Sequence, residues 1–479
     1  MYIGIILHTL AKCAFIAGSY IIHFFLGKYL PATEYGIVGT IITIINFEYL
    51  LLNNGVRQAI SNAISQEKYD NKNIVKKGMI VQVILVLLIV GITLTFSDML
   101  GKWLGDANLS KYIRITTIIV PFMGIYFAIL GIFNGIKHFM IEASILIVYP
   151  ILKLAVIPCV LFIFDDAILG TEAGFIFAAI TIMLICIFVL YTKRNKIFTR
   201  ISKIEWKRFV KSCFSFSIIF IVASILMNID LLIVKAFSND SSYAGYYTGA
   251  INFAKIPYFL LNAIFIVMLP VITSLYAQKK YSEAKTAIVN ILESILSMIL
   301  PIVVALTASG NTLLKTFYSE EYVAGTNALR FLVFGTFFLG VSIVLNIVIS
   351  ATGKKRFTTI LFSVLLITDI TLCLIFTKMM SIQGAALSLF ICAGISMLLS
   401  LIYVSQIFGG IFSIKQLKVV ILNVVAFGMI YILNSVLNIN SLITLFAFYV
   451  VIYFVILGVQ LLFKLIDIKT IKDNLKSRG

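Results

Sequence analysis

Fourteen apolar stretches follow one another along the chain, each about 20 residues long, the length an α-helix needs to cross a hydrocarbon core. In that medium no water satisfies a backbone amide, so a crossing segment closes its own hydrogen bonds as a helix. The stretches lie near 5–27, 36–56, 78–97, 113–134, 140–164, 168–191, 210–235, 245–272, 286–309, 327–350, 357–377, 382–405, 418–437 and 442–463, the last two parted only around Asn438, Asn440 and Ser441. Hydrophobic residues make up 61% of the chain, charged residues 12%, and the mean hydropathy is +1.08. A soluble domain carries roughly a quarter charged residues. The expected class is an all-α membrane protein with about 14 transmembrane helices.

The net charge of +18 would suit nucleic acid if the basic residues formed one face, and they do not. Twenty-seven Lys and Arg fall in loops on one side of the membrane, in 57–77, at Lys137, in 193–211, 279–285 and 354–356, at Lys415 and Lys418, and after 463. The other side carries seven: Lys28, Lys102, Lys111, Arg114, Lys235, Lys315 and Lys378. Positive loops stay in the cytoplasm, so a multi-pass protein of the cell membrane with both termini inside is expected. The surplus charge also favours contact with anionic membrane lipids. The apolar start is too long for a removable signal peptide and lacks its small-residue cleavage site, so it reads as helix one.

The chain contains part of itself twice. LPATEYGIVGTIITIINFEYLLLNNG (30–55) recurs in hydrophobicity and punctuation as NDSSYAGYYTGAINFAKIPYFLLNA (239–263), with Gly36 answering Gly245 at an offset of 209 residues. Further along, Arg114 answers Arg330, GIKHF (135–139) answers GKKRF (353–357), and EAG (172–174) answers QGA (383–385). Six helices is an even number, so the two copies start from the same side of the membrane and form parallel repeats. The expected domains are a six-helix lobe over 1–192, a basic cytoplasmic linker at 193–209, a second six-helix lobe over 210–408, and two additional helices with a basic tail over 409–479.

Polar residues inside such helices are expensive and therefore informative. In helix one, His8, Lys12, Ser19 and His23 share a face. Helix two carries Thr43, Asn46 and Asn53, which the offset maps onto Asn252, Lys255 and Asn262 of helix eight; helix seven adds Ser217, Ser224, Asn228 and, near its outer end, Asp230. Ser, Thr and Asn also serve simply as helix-to-helix hydrogen-bond partners, worth about 1 kcal/mol each. An uncompensated ammonium in hydrocarbon costs about 3 kcal/mol or more, which points Lys12 and Lys255 towards a wet cavity. Lys153 and Asp369 sit at matching depth in helices five and eleven; they pair across a cavity, serve two ends of a substrate, or are each neutralised within their own lobe. Glu48, turned away from the Asn46 stripe, and Glu293, Asp230 and Asp369 are the candidates for ion or proton coupling. Pro150, Pro158, Pro257, Pro270 and Pro301 fall inside helices, where a missing amide favours kinks.

Catalytic signatures are missing. There is no GxxxxGK[ST], the string ATGKKR at 351–356 having neither its spacing nor its hydroxyl, and no HExxH. The outer loops are too short for a folded extracytoplasmic region, and Asp165 and Asp166 read as a solvated turn. The six cysteines fall singly in helices without CxxC spacing. No enzyme activity, metal or cofactor is expected.

The EYG turn after helix one, DLLIVKAF followed by YAGYY at 230–247, LPVITSL at 269–275, FYSEEYVAGTNALRFL at 317–332 and QGAALS at 383–388 together resemble the polysaccharide transporter branch of the superfamily that also holds the MATE antiporters and the lipid II flippases. The resemblance implies two six-helix bundles in a V around a central cavity, working by alternating access. It also implies a flippase moving a polyprenyl-diphosphate-linked oligosaccharide to the outer leaflet for cell-surface polysaccharide, with glycosyltransferases or a polymerase of the same pathway as partners. On that footing Lys12, Lys255 and Lys153 would meet the diphosphate and Asn46, Asn53, Asn228, Asn252 and Asn262 the sugar. Helix one here has Lys12 and no Arg, unlike the arginine-rich lipid II flippases, which disfavours the peptidoglycan precursor. A cation-coupled exporter of drugs or metabolites is the alternative.

Overall fold

In the computed structural model the described residues are 2–193, 203–238, 240–437, 441–463 and 465, with the side chains of 2–9, 12, 215–220, 223, 262–271, 355, 435 and 443 outside that description. Every regular element among them is helical, as a chain immersed in lipid requires. Eleven helical segments are long and apolar enough to cross a membrane, and a shorter apolar helix covers Cys13–Tyr29. The protein is a multi-pass membrane protein.

Contacts divide the chain into two units, Met1–Gly245 and Tyr246–Gly479. The first contains α1 (Tyr2–Tyr29), α2 (Ala32–Leu51) continuing through a wide π-helical turn (Leu52–Arg57) into α3 (Gln58–Ser65), and α4 (Asn71–Trp103). It goes on with α5 (Leu109–Thr116), α6 (Ile119–Gly135), α7 (Phe139–Lys153), the single turn α8 (Val156–Pro158) with a second wide turn (Cys159–Ile163), α9 (Ala167–Lys193), α10 (Trp206–Leu226) and α11 (Ile229–Phe237). The α5–α6 segment is the enclosed one, 72% of its apolar window being buried against 17% for α4. Leu87, Leu88 and Ile92 of α4 are correspondingly exposed, as lipid-facing side chains are.

One expectation changes in this unit. Helix seven, expected as one run over 210–235, is two helices, because Asn228 leaves the helical region at φ −141° and ψ −18° and its side-chain amide instead donates to the Ser224 carbonyl at 2.7 Å. Contacts group α10 and α11 with this unit, which ends at Gly245. The reason is that α10 packs on α2 and α3, with Ile204, Phe209 and Cys213 buried beside Ile60, Ile64 and Ala128. Most of that linker, 194–202, lies outside the described residues.

Most of α12 (Tyr243–Ala277) belongs to the second unit, followed by α13 (Tyr281–Met298), α14 (Leu300–Ala308), α15 (Gly310–Phe317) and α16 (Thr326–Ala351), then α17 (Lys355–Met380), α18 (Ile382–Phe408), α19 (Ile414–Leu437) and α20 (Leu442–Leu462). Pro301 stands in the first turn of α14, where its missing amide is no loss. Here the segment ending in α16 is the enclosed one, 78% buried against 22% for α17. Ser342 and Asn346 of α16 bond Ser396 and Ser400 of α18 at 2.7 and 2.8 Å. Such polar pairs join helices that gain nothing from hydrophobic association in lipid.

Candidate functional site

A stripe at three- and four-residue spacing on α2 and its wide turn, Ile42, Ile45, Asn46, Tyr49, Leu50, Asn53, Asn54 and Arg57, forms one wall of a cavity of about 320 Å³ inside the first unit. Phe15 of α1, Ile119, Met123, Tyr126 and Phe127 of α6, Leu146, Tyr149 and Lys153 of α7, Phe175 of α9, and Ser224 and Asn228 also line it. That volume lies at the small end of the range for small-molecule sites. It suits a polar head group rather than a long apolar tail.

The two cations of the cavity are held in different ways. Arg57 donates to Asn53 Oδ1 at 3.0 Å and pairs with Glu142 at 2.8 Å. The Glu142 side chain is fully buried, and its other oxygen accepts Asn134 at 2.6 Å, which in turn accepts Ser61 at 2.6 Å. A buried ion pair is sustained by that kind of lone-pair satisfaction. Close approach makes the arrangement possible, since a β-carbon on Gly131 would stand 2.6 Å from the Arg57 carbonyl oxygen. Lys153 has no carboxylate at ion-pair distance among the described residues; its ammonium lies over the rings of Phe175 at 4.7 Å and of Phe15 and Tyr149 at 5.9 Å. Aromatic faces attract cations at such distances, yet they leave the charge available to an anion. Lys153 sits where α7 stops, and the following turn presses on α9 so tightly that a β-carbon on Gly174 would come within 2.5 Å of the Val156 Cα.

Of the residues expected to bind substrate, Asn46, Asn53, Lys153 and Asn228 thus line one cavity. Asn252 and Lys255 belong to the second unit; Asn252 donates to the Tyr318 hydroxyl at 3.2 Å, and Lys255 is half-buried. The side chains of Lys12 and Asn262 lie outside the described residues. Among the coupling candidates, Glu48 is buried against α4, accepting Thr93 at 3.1 Å, on a different face of α2 from the cavity stripe. Asp230 is buried in the first turn of α11 and accepts the Leu231 amide at 2.9 Å. Asp369 is buried on α17, and Glu293 accepts the Ser413 hydroxyl at 2.8 Å from the loop between α18 and α19. Lys153 and Asp369 fall in separate units.

Sequence reasoning missed Arg57, Glu142 and the tyrosines. Arg57 reads as the first charge of a basic loop, although it stands four residues after Asn53 and eleven after Asn46, which keeps it on the same helical stripe. Tyr126 and Tyr149 lie 5.4 Å apart in the cavity wall, with no signal in the sequence beyond their being aromatic. Thr43, placed on that stripe from its spacing, is buried and outside the cavity lining.

The profile of the family described as "Polysaccharide biosynthesis protein" matches residues 3–276, more than half of the chain. Comparison with curated proteins finds no sequence match. Among solved structures, lipid II flippase MurJ in an inward closed conformation aligns with a TM-score of 0.76 at 16% identity, covering 96% of this chain and 99% of that one. An inward-facing multidrug resistance MATE transporter of the MOP superfamily gives 0.68 at 13% identity over 85% and 94%. A MOP superfamily transporter from Pyrococcus furiosus, described as having a binding pocket of reverse polarity, gives 0.58 at 14% over 85% and 94%. At these identities the likeness is one of fold.

Proposed function

The chain belongs to the polysaccharide biosynthesis protein family, and from that premise we propose that it is a flippase carrying a polyprenyl-diphosphate-linked oligosaccharide from the cytoplasmic to the outer leaflet for cell-surface polysaccharide. The observation that carries this reading is Lys153, an ammonium with no carboxylate at ion-pair distance among the described residues, held over three rings at the wall of a cavity that also presents four Asn amides, the Ser224 hydroxyl and Arg57 among apolar and aromatic side chains. A diphosphate takes the ammonium, and sugar hydroxyls pair with Asn46, Asn53, Asn54 and Asn228. Lys12, Lys255, Asn252 and Asn262 remain substrate-binding candidates from the sequence alone. Alternating access between two parallel six-helix repeats, both termini cytoplasmic, is the accompanying mechanism. Glu48, Asp230, Glu293 and Asp369 remain the candidates for ion or proton coupling.

The exporter reading fares less well at this cavity. Cationic cargo needs a carboxylate in contact, and no Asp or Glu is among its described lining residues. Competition in nanodiscs separates the two: a labelled polyprenyl-diphosphate oligosaccharide should bind saturably and be displaced by unlabelled diphosphate lipid. Displacement by a cationic drug, with no response to the diphosphate lipid, would favour the exporter.

A further inference from the structure

At one end of the second unit α12 closes on Tyr276, α13 opens on Tyr281 and α18 ends at Phe408. Tyr276 stands edge-on to Tyr281 at 5.3 Å and to Phe408 at 6.1 Å, and with Ser282, Lys285 and Ile407 these rings line a hollow of about 450 Å³. Both rims are fixed. The α12–α13 turn is closed by the amides of Lys279 and Lys280 on the Tyr276 and Leu275 carbonyls at 3.0 Å, and the loop after α18 is held by Ser413 on Glu293 at 2.8 Å. The Lys285 ammonium lies against Gly409, where a β-carbon would approach it to 3.3 Å. The nearby carboxylates are otherwise engaged, Glu283 with Lys280 at 3.2 Å and Glu293 with Ser413. Among the described residues none stands at ion-pair distance from Lys285.

We propose that this hollow seats the phosphate head group of an anionic phospholipid of the inner leaflet. Lys285 and the Ser282 hydroxyl take phosphate oxygens, and the rings of Tyr276 and Phe408 cover the glycerol and the first methylenes. A free phosphate ion would use the cation and leave the aromatic walls idle; a lipid uses both. Exposed Leu398, Leu399 and Ile402 on α18 offer apolar surface to the acyl chains. The inference rests on the topology above, which puts 279–285 on the cytoplasmic face, where anionic lipid is concentrated.

The test uses the full chain, purified with equimolar phosphatidylglycerol and phosphatidylcholine, with the retained lipid quantified by mass spectrometry. Wild type should retain phosphatidylglycerol preferentially. Lys285→Ala should lower that preference about fivefold, the effect of one lysine at an anionic surface, while Lys285→Arg keeps it and Lys102→Ala, an exposed lysine of the first unit, leaves it unchanged. Equal retention by wild type and Lys285→Ala, or an equal loss in Lys102→Ala, overturns the proposal. So does selective release of the lipid by inorganic phosphate at an ionic strength where chloride releases none, which would make the hollow a phosphate-ion site. If Lys285→Ala is not monodisperse, Lys285→Met gives the same reading. Lipid retention is measured without any glycan, so a failure of the flippase reading leaves this result standing and distinguishable.

Discussion

Arg57 and Lys153 are two cations in one apolar setting, and their surroundings give opposite expectations for stability. Arg57 is matched by Glu142, Asn53 and, through Glu142, Asn134, so its removal strands a fully buried carboxylate. Arg57→Ala is expected to cost about 3–5 kcal/mol, whereas Arg57→Met combined with Glu142→Leu recovers most of it, since a buried ion pair gains little over an apolar pair of similar volume. Thermal unfolding midpoints in nanodiscs read both; additive losses in the double variant would contradict the pairing. Among the described residues Lys153 has rings around it and no carboxylate at ion-pair distance, so desolvating its ammonium is only partly offset. Lys153→Met should leave the midpoint unchanged or raise it, as happens where a residue is kept for function at the expense of stability.

The helices themselves were legible in the sequence because each crossing is set by about 20 apolar residues, and hydropathy alone marks them. What happens inside a crossing was not. Asn228 breaks helix seven, yet apolar residues lie on both sides of it, so hydropathy runs straight through the break. The wide turn at Leu52–Arg57 follows from packing against α6 across Gly131, a tertiary fact with no local signature. Arg57 itself was hidden by the basic run that follows it. The cavity's amides could be read from helical spacing, whereas the aromatic platform under Lys153 arises from three separate helices, α1, α7 and α9, and could not. Gly174 tests the element scale: Gly174→Ala places a β-carbon within 2.5 Å of the Val156 backbone, and overpacking of this kind costs about 1–3 kcal/mol. A lower unfolding midpoint together with weakened substrate binding is expected, because α9 also carries Phe175 beneath Lys153. An unchanged midpoint would mean that α8 yields freely.

For the whole molecule, the family match and the shared fold support a transporter built from apolar helices, and the charge distribution predicts an orientation. Single cysteines introduced into a Cys-free background at Lys68 and Lys280 should be silent to a membrane-impermeant maleimide in intact cells, while those at Lys102 and Lys111 should label. The reverse pattern would invert the topology and with it the direction of transport. Packing groups α10 and α11 with the first unit, whereas a charge run such as 193–209 bears on which side a loop lies and says nothing of what its flanking helices pack against. Binding of a polyprenyl-diphosphate oligosaccharide to wild type and Lys153→Met in nanodiscs, beside their unfolding midpoints, is the most direct measurement of the central claim. Affinity about ten- to hundredfold weaker, the worth of a charge-assisted contact, with the fold intact, is the predicted result; equal affinity in a well-folded Lys153→Met would place the diphosphate elsewhere.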